Sequence, residues 1–128
     1  VISNFVVQAL QGRSLTVYGE GKQTRSFCFV DDLIRGMFLL MNSIHSGPIN
    51  IGNPDEYSIL EMANIIRSKI SPDLEIIFKP MPLDDPSRRK PNISLAKDKL
   101  DWEPKIDLSD GLDRTISYFR NKLNGTIN

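Results

Sequence analysis

The chain has 128 residues, of which 40% are hydrophobic and 25% charged, and its 16 Lys and Arg balance its 16 Asp and Glu. This composition is typical of a globular protein, and the length fits one domain. A formal net charge of zero argues against a nucleic-acid or membrane surface, because both need excess positive charge. No apolar run approaches the roughly 20 residues that cross a bilayer. We therefore expect a cytoplasmic protein that contacts neither nucleic acid nor membrane, although an anchor upstream of this segment would change its location.

The first part of the sequence predicts one helix and two extended segments. A helix begins at Ile2, carries its apolar residues on one face and ends before Gly12. Residues 14–18 predict a short strand that leads into the glycine-containing turn 19–22. Residues 25–30 are aromatic and β-branched, which favours an extended conformation.

The next segment predicts a helix over residues 33–43, which Asp31 or Asp32 can cap. Its near-continuous apolar character predicts that this helix is buried. Residues 47–53 follow as a short strand between turn-forming residues.

The last part alternates helices with one further strand. Ser58 and Glu61 form a capping-box pattern for a helix that follows, and residues 74–80 predict a strand. Residues 81–92 hold three prolines and a charge cluster, which predicts an irregular loop. Two more helices follow, over residues 93–100 and from Ser109 onward.

This alternation of short strands and helices predicts an α/β fold with at least some parallel pairing. We expect a single domain over residues 1–128. Since the sequence opens directly in a helix at Val1, we also expect it to be a piece of a longer protein.

The sequence offers no cofactor turn and no metal site of its own. The close glycines of "YGEGK" lead into a strand, whereas a dinucleotide-binding turn leads into a helix N-terminus. His45 has no second ligand nearby, so we predict no metal site. The single Cys28 fits a reducing compartment, and we interpret it as a small buried hydrophobic residue and not as a reactive thiol.

Two pairs match the Tyr-x-x-x-Lys pattern of nicotinamide-dependent enzymes. Tyr18 and Lys22 straddle the glycine turn, so their spacing does not align the two side chains. Tyr118 and Lys122 lie on a predicted helix, where a packed ring beside a solvated Lys explains them. We therefore predict no catalytic residue in this chain.

The order of three segments is more informative: "VYGEGKQTRSFCFVDDLIRGM", then "PINIGNPDEYSILEMA", then "DDPSRRKPNISLAKDKLDWEP". It resembles the C-terminal third of the extended short-chain dehydrogenase/reductase enzymes that act on sugar nucleotides, and within them the UDP-glucuronate decarboxylases (UDP-xylose synthases). dTDP-glucose 4,6-dehydratases and UDP-sugar 4-epimerases share the layout, so they remain alternatives, as does a non-catalytic module that binds nucleotide sugars.

The resemblance implies that this chain is the substrate-binding half of such an enzyme. The glycine signature and the catalytic Tyr and Lys would lie upstream, in an NAD-binding Rossmann domain. The intact enzyme would be a homodimer that uses tightly bound NAD to convert UDP-glucuronate to UDP-xylose. The segment alone would bind no NAD and would be inactive.

The resemblance also implies the residues that bind the UDP-sugar. It places the uracil mainly on backbone groups of three consecutive residues, Thr16, Val17 and Tyr18. Arg25 and Arg89 would reach the ribose and the diphosphate, which suits the planar fork of a guanidinium. Asn4 is a further candidate for substrate contact.

The last segment contains a choice between two arginines, a departure from the family and a tryptophan. Counting back from "NISLAK" favours Arg89 over Arg88 as the diphosphate ligand. Asn92 departs from the family, which usually has Asp after the proline, and we expect this change to alter how the loop is held. Trp102 is interpreted as a packing residue.

Overall fold

The computed structural model describes residues 1–83 and 86–125. Ten elements follow one another in the described residues: α1 (Ile2–Leu10), β1 (Leu15–Tyr18), β2 (Thr24–Ser26), α2 (Val30–Met41), β3 (Glu56–Ser58), α3 (Ile59–Ile70), β4 (Ile76–Lys79), β5 (Arg88–Arg89), α4 (Ser94–Leu100) and α5 (Leu108–Leu123). The strands form two sheets, one with the order β1-β4 and one with the order β3-β2-β5. The predicted α/β class is confirmed.

The contacts of the chain divide it into two compact units. Unit 1 comprises the described residues of Val1–Thr24, Tyr57–Arg88 and Leu112–Asn128, and unit 2 comprises Arg25–Glu56 and Arg89–Gly111. The single domain over residues 1–128 stays a prediction.

Unit 1 is built on a parallel pair of strands. β1 pairs with β4 in a register that runs from Leu15↔Ile76 to Tyr18↔Lys79, which confirms the predicted parallel pairing. Helices α1 and α3 pack against each other and against β1. The side chains that share this interior are almost fully buried: Phe5, Val6, Leu15, Val17, Met62, Ile66, Leu112 and Ile116.

The turn after β1 is fixed by close contact with the start of α3. Gly21 has a positive φ of 70°, and its carbonyl accepts a hydrogen bond of 3.1 Å from the Leu60 backbone N–H. A Cβ at Gly21 would lie 3.2 Å from that same nitrogen, so only glycine fits here without a shift. The capping box that begins α3 is present as predicted, with Ser58 and Glu61 exchanging hydrogen bonds of 2.7 and 3.1 Å.

Unit 2 has its core around Trp102. The indole is fully buried and packs with Ile93, Ala96 and Leu100, and its Nε1 donates a hydrogen bond of 3.0 Å to the Asp32 carbonyl. The partly buried residues against this cluster are Cys28, Leu39, Leu40, Ile49 and Ile51. The interpretation of Trp102 as a packing residue is confirmed.

The Asp32 carboxylate is the polar centre of unit 2. It is 2% exposed. Its Oδ2 accepts hydrogen bonds of 2.9 and 2.8 Å from the backbone N–H groups of Lys105 and Ile106, and its Oδ1 lies 2.9 Å from the Arg35 guanidinium. Burial raises the pKa of Asp32, but the Ile106 bond, the Arg35 guanidinium and the Lys105 bond outweigh burial, so the pKa lies below the ordinary 3.8. One carboxylate thus ties α2 to the loop before α5.

Two predictions about α2 are wrong. The residue that precedes the helix is Phe29, and no side chain caps the helix. The Asp32 carboxylate bonds to the distant loop and to the Arg35 side chain, and not to the backbone N–H groups at the start of its own helix. The helix is also not buried as a whole. Only Asp32 and Gly36 are buried, because the apolar residues surround the helix while unit 2 covers only one side of it.

Three predicted segments differ from the structure, and the other predicted elements are present. Residues 47–53 form no strand within the described residues, since no neighbouring backbone pairs with them. The extended segment 25–30 is strand only to Ser26, and α2 already begins at Val30. In the predicted loop 81–92, Asp84 and Asp85 lie outside the described residues, whereas Arg88–Arg89 form β5. No helix in the described part of the chain has both the length and the apolar character to cross a membrane.

We expect Asp32→Asn to lower the free energy of unfolding at pH 7 by about 1.5–3 kcal/mol, the range for a lost hydrogen bond to a charged group. The amide turns a donor toward a site where every partner is itself a donor. Because the pKa of Asp32 is lower in the folded state, its contribution is present above about 3.8 and is lost as the pH falls through the folded value. Urea denaturation at pH 7 and at pH 3 measures both effects.

Asp31→Asn is the matched control, since Asp31 is the exposed neighbour of Asp32 on the same helix. The difference between wild type and Asp32→Asn should shrink from pH 7 to pH 3. Equal stability of the two Asn variants at pH 7 would contradict the role assigned to Asp32.

Candidate functional site

Strand β1 presents one edge that no other described strand covers. On its other edge, the Leu15 N–H donates to the carbonyl of Glu75, the residue before β4, at 2.9 Å. The Gly19 N–H donates to the Lys79 carbonyl at the end of β4. Backbone groups alternate in direction along a strand. The N–H and C=O groups of Thr16 and Tyr18 therefore point to the open edge.

Two glutamine side chains hold this edge in place. Gln8, on α1, accepts a hydrogen bond from the Thr16 N–H and donates one to the Thr16 hydroxyl, both at 3.2 Å. Gln23 is 7% exposed, and its Nε2 donates to the Tyr18 carbonyl at 3.1 Å. The two ends of the edge are thus fixed by side chains that are not part of the sheet.

The arrangement leaves the Thr16 carbonyl and the Tyr18 N–H side by side on the open edge. One is an acceptor and the other a donor, and their spacing is that of a strand. A planar ligand with an adjacent donor and acceptor can add to this edge as a further strand would. The imide of a uracil ring has these groups.

The neighbouring side chains differ in what they offer a ligand. Val17 is fully buried between the strands and α3, so its part is to fix the strand. Tyr18 is 45% exposed. Asn4 is exposed on α1.

The two predicted arginines lie in unit 2. Arg25 is half-buried in β2, and Arg89 is exposed in β5, where its carbonyl accepts a hydrogen bond of 3.2 Å from the Ser26 hydroxyl. A cavity of about 520 Å³ lies at this point, and its lining includes polar and cationic residues: Ser26, Cys28, Asn53, Arg89 and Lys90. This is a volume in the range of small-molecule sites.

Arg88 and Arg89 are not equivalent. Successive side chains of a strand point to opposite faces, so only one of the two can face a given ligand. Arg89 lines the cavity of unit 2, and Arg88 is assigned to unit 1. The choice of Arg89 as the diphosphate ligand stays a prediction.

The structure thus brings some predicted site residues together. Thr16, Val17 and Tyr18 share β1 in unit 1, where Asn4 also lies, and Arg25 and Arg89 lie in unit 2, on strands that belong to one sheet. That all six contact one ligand stays a prediction.

Asn92 accepts hydrogen bonds at the start of α4. Its Oδ1 accepts hydrogen bonds from the Ser94 N–H at 3.0 Å and from the Ser94 hydroxyl at 2.6 Å, at the start of α4. Its carbonyl accepts a bond of 3.3 Å from Asn50. Only acceptor oxygens are used, and a carboxylate also supplies these. The expectation that Asn92 alters how the loop is held stays a prediction.

Neither Tyr-x-x-x-Lys pair has the geometry of an acid/base pair. Lys22 forms an ion pair with Glu20 across the glycine turn; the bond and charge of Glu20 raise the pKa of Lys22, and those of Lys22 lower the pKa of Glu20. The Lys122 ammonium lies over the Tyr118 ring, 5.8 Å from its centroid, as in a cation–π contact.

Cys28 and the possible metal ligands were the remaining candidates for a functional role. Cys28 packs beside the Trp102 cluster, and burial, with the nearby Asp32 charge, raises the pKa of its thiol, which disfavours the reactive thiolate. Among the described residues, no group of three His, Cys, Asp or Glu side chains is placed to hold a metal ion.

Sequence reasoning missed Gln8 and Gln23. Both act through hydrogen bonds to backbone groups five to eight residues away, and no short motif signals such a contact. The close glycines before Gln23 were a partial signal, because a tight turn can bring the residue after it back onto the strand before it.

The family model described as NAD dependent epimerase/dehydratase family matches residues 1–52. UDP-glucuronic acid decarboxylase 1 of Arabidopsis thaliana is 52% identical over 123 residues, which are 96% of this chain and 28% of that protein. UDP-glucuronic acid decarboxylase 1 of Danio rerio is 51% identical over 128 residues, 100% of this chain and 31% of that protein. The chain spans less than a third of the length of these two relatives.

A solved structure shows the same fold. The UDP-glucuronic acid 4-epimerase from Bacillus cereus, in complex with UDP-glucuronic acid and NAD, matches with a TM-score of 0.88 at 28% identity, over 94% of this chain and 40% of that one. The fold is therefore that of the corresponding portion of extended short-chain dehydrogenase/reductase enzymes. The chain belongs to the NAD dependent epimerase/dehydratase family.

Proposed function

We propose that the chain is the C-terminal, nucleotide-sugar-binding domain of an NAD-dependent UDP-glucuronate decarboxylase, which converts UDP-glucuronate to UDP-xylose with release of CO₂. One observation carries this choice. Two proteins named UDP-glucuronic acid decarboxylase are 51–52% identical over almost the whole chain, whereas the 4-epimerase that shares the fold is 28% identical. By the same resemblance the intact enzyme is a homodimer, and its cytoplasmic location stays a prediction from the sequence.

The open edge of β1 supports uracil as the base. The Thr16 carbonyl would accept the imide N–H of uracil, and the Tyr18 N–H would donate to an adjacent uracil carbonyl. Gln8 and Gln23 bond to the other backbone groups of the same two residues, the Thr16 N–H and the Tyr18 carbonyl. They thus fix the strand before a ligand arrives, which lowers the entropy cost of binding.

The arginines support a diphosphate. Arg25 and Arg89 supply two guanidiniums, each of which can donate two parallel hydrogen bonds to phosphate oxygens. The chain has no net charge, so this affinity would come from local placement of the arginines and not from a general positive field.

The glycine turn after β1 does not have the form of a dinucleotide-binding turn. The two glycines with positive φ near β1, Gly19 and Gly21, lie in a turn between two strands, and a Cβ at Gly21 would meet protein backbone and not an open cradle. No helix N-terminus follows the turn to receive a pyrophosphate. The cofactor would be held by the rest of a full-length enzyme.

A chimera tests the function. In it, this chain replaces the matching segment of the Arabidopsis thaliana decarboxylase, and the remainder comes from that protein. We expect the chimera to release CO₂ from UDP-glucuronate and to form UDP-xylose, because this chain supplies the substrate site. We expect the 128-residue chain alone to form neither product. Chromatography of the nucleotide sugars and a CO₂ assay measure both.

The matched control carries the corresponding segment of the Bacillus cereus 4-epimerase in the same place. Decarboxylation by the first chimera and little by the control would support the proposal. Equal rates would show that the segment does not select the reaction. A 4-epimer of UDP-glucuronate without CO₂ would favour an epimerase, and UDP binding without any product would favour a non-catalytic module.

In the chimera, we expect Arg25→Ala and Arg89→Ala each to weaken UDP binding by about 10- to 150-fold. This range corresponds to the loss of a charge-assisted hydrogen bond worth about 1.5–3 kcal/mol. Lys at either position should restore only part of the affinity, since a point charge cannot form two parallel bonds. Calorimetric titration with UDP measures each dissociation constant.

Arg88→Ala is the control for Arg89→Ala, because it removes the same charge from the opposite face of β5. We expect its affinity for UDP to stay near that of the parent chimera. If Arg88→Ala weakens binding and Arg89→Ala does not, the assignment of this strand is wrong by one residue. If no arginine variant changes the affinity, the diphosphate lies elsewhere.

A further inference from the structure

Met81 packs on the turn that ends β1. Its Sδ lies 3.8 Å from the Gln23 Nε2, a distance at which an N–H can donate to sulfur. A Cβ at Gly19 would lie 2.7 Å from the Met81 Cε and 3.5 Å from its Sδ, so the thioether rests directly against Gly19. Met81 is also 41% exposed, and all three residues belong to unit 1. The thioether therefore contacts the turn on one side and is accessible on another.

These contacts converge on one peptide group. The Tyr18 carbonyl and the Gly19 N–H belong to the same planar unit. Gln23 donates to that carbonyl at 3.1 Å, and the N–H donates to the Lys79 carbonyl at 2.7 Å. Met81 covers the Gly19 end of the unit and touches the Gln23 nitrogen. A change at Met81 therefore acts on the group that orients Tyr18, whose own N–H lies on the open edge of β1.

The Gln23 amide nitrogen serves two acceptors of unequal strength. It carries two hydrogens, and a thioether sulfur accepts only weakly, so Met81 does not draw the amide away from the Tyr18 carbonyl. A sulfoxide oxygen is a strong acceptor, because the S–O bond is highly polar. A hydrogen-bonded oxygen lies about 2.9 Å from the donor nitrogen. The 3.8 Å between Nε2 and Sδ leaves less than a bond length beyond that, so an oxygen added on this side fits only if the Gln23 or the Met81 side chain moves.

The other methionines of the chain are placed differently. The chain has four methionines. Met62 is fully buried, so an oxidant reaches it only when unit 1 opens. Met37 and Met41 are more exposed than Met81, but they lie on α2 in unit 2. Met81 is thus the methionine that combines exposure with contact to the turn after β1.

We propose that Met81 is an oxidation site, at which a peroxide converts the thioether to a sulfoxide and weakens the binding of the UDP-sugar. The inference rests on the proposed function, since the ligand is the nucleotide assigned to β1. A lone pair of the sulfur attacks one oxygen of hydrogen peroxide, and the S–O bond forms as the O–O bond breaks. The other oxygen leaves as hydroxide, takes the proton of the transferred oxygen and becomes water. The sulfur loses two electrons, and the peroxide gains them.

The sulfoxide loosens the hold of Gln23 on Tyr18. Its oxygen competes with the Tyr18 carbonyl for the Gln23 amide, and the polar, bulkier group no longer packs closely on Gly19. The loss is comparable to one neutral hydrogen bond, which corresponds to UDP binding that is about three- to tenfold weaker. The modification is reversible, because methionine sulfoxide reductases restore the thioether.

Peroxide treatment of the chimera described above tests the proposal. The chimera is treated with hydrogen peroxide and then with dithiothreitol, which reverses disulfides and sulfenic acids but not sulfoxides. Peptide mass spectrometry measures the sulfoxide at position 81, and calorimetric titration gives the dissociation constant of UDP before and after treatment. We expect treatment to raise this constant about three- to tenfold, and sulfoxide reductases to lower it again.

Two variants assign the effect to one sulfur. In Met81→Leu we expect peroxide to leave the dissociation constant unchanged from that of the same untreated variant. Met41→Leu is the matched control, because it removes a methionine that is 81% exposed but belongs to unit 2. We expect it to lose affinity on treatment as the parent chimera does.

Amide hydrogen exchange gives a second readout that needs no ligand. In the oxidised chimera without UDP, we expect the Gly19 N–H to exchange at least about threefold faster, because its peptide group is held less firmly. The Leu15 N–H, which donates to Glu75 at the other end of β1, should change much less.

Each outcome decides the proposal. An unmodified position 81 under conditions that oxidise position 41 would overturn it. A sulfoxide at position 81 with unchanged affinity for UDP, or an equal loss of affinity in Met81→Leu, would overturn it as well. Faster exchange at Gly19 in a chimera that binds no UDP in either state would support the effect of Met81 on β1 and contradict the proposed function.

Discussion

A strand with one neighbour keeps half of its backbone hydrogen-bonding groups on an open edge, and β1 is such a strand among the described residues. The groups on that edge are strong donors and acceptors that must find partners. Gln8 and Gln23 engage two of them and leave an acceptor and a donor side by side. The candidate nucleotide site follows from this arrangement, because the sheet fixes what the edge can offer.

The surroundings of β1 protect that edge from distortion. The parallel pairing with β4, the packing of α3 and the tight approach of Gly21 to Leu60 all bear on the same four-residue strand. A short strand would otherwise be marginal, since two strands alone are rarely stable in water. Much of unit 1 therefore serves to hold the backbone groups of β1 in place.

The buried charge of Asp32 organises unit 2, and the β1–β4 strand pair organises unit 1. Asp32 is tolerated in the interior because a guanidinium and two backbone N–H groups surround its carboxylate. Its position fixes the direction of α2. One side of that helix is anchored on Trp102, and the other is left apolar and exposed. The Asp32 carboxylate thus determines which side of α2 is exposed on unit 2.

The sequence predicted the features that local chemistry controls. The capping box of Ser58 and Glu61 and the parallel strand pair are of this kind, because their signals lie within a few residues or in a simple alternation. The same reasoning failed for Asp32. Its residue type and position suit a helix cap, but two of its partners, the Lys105 and Ile106 N–H groups, lie more than 70 residues away and could not be seen from the neighbouring sequence.

The prediction that α2 is buried was wrong for a related reason. An apolar helix is expected to be buried, but the sequence of the helix does not show which protein surface covers it. Of the candidate site, the family resemblance indicated residues on α1, β1, β2 and β5. The hydrogen bonds of Gln8 and Gln23 to β1 depend on folding and were seen only in the structure.

Amide hydrogen exchange at Tyr18 is the most direct test of the central claim that the open edge of β1 holds the base. In the chimera, resolved by NMR, addition of UDP should slow exchange of the Tyr18 N–H by at least about tenfold, since a bonded amide exchanges only when the ligand leaves or the strand opens. The Val17 N–H, which faces β4, should change much less. Unchanged exchange at Tyr18 under saturating UDP would contradict the account.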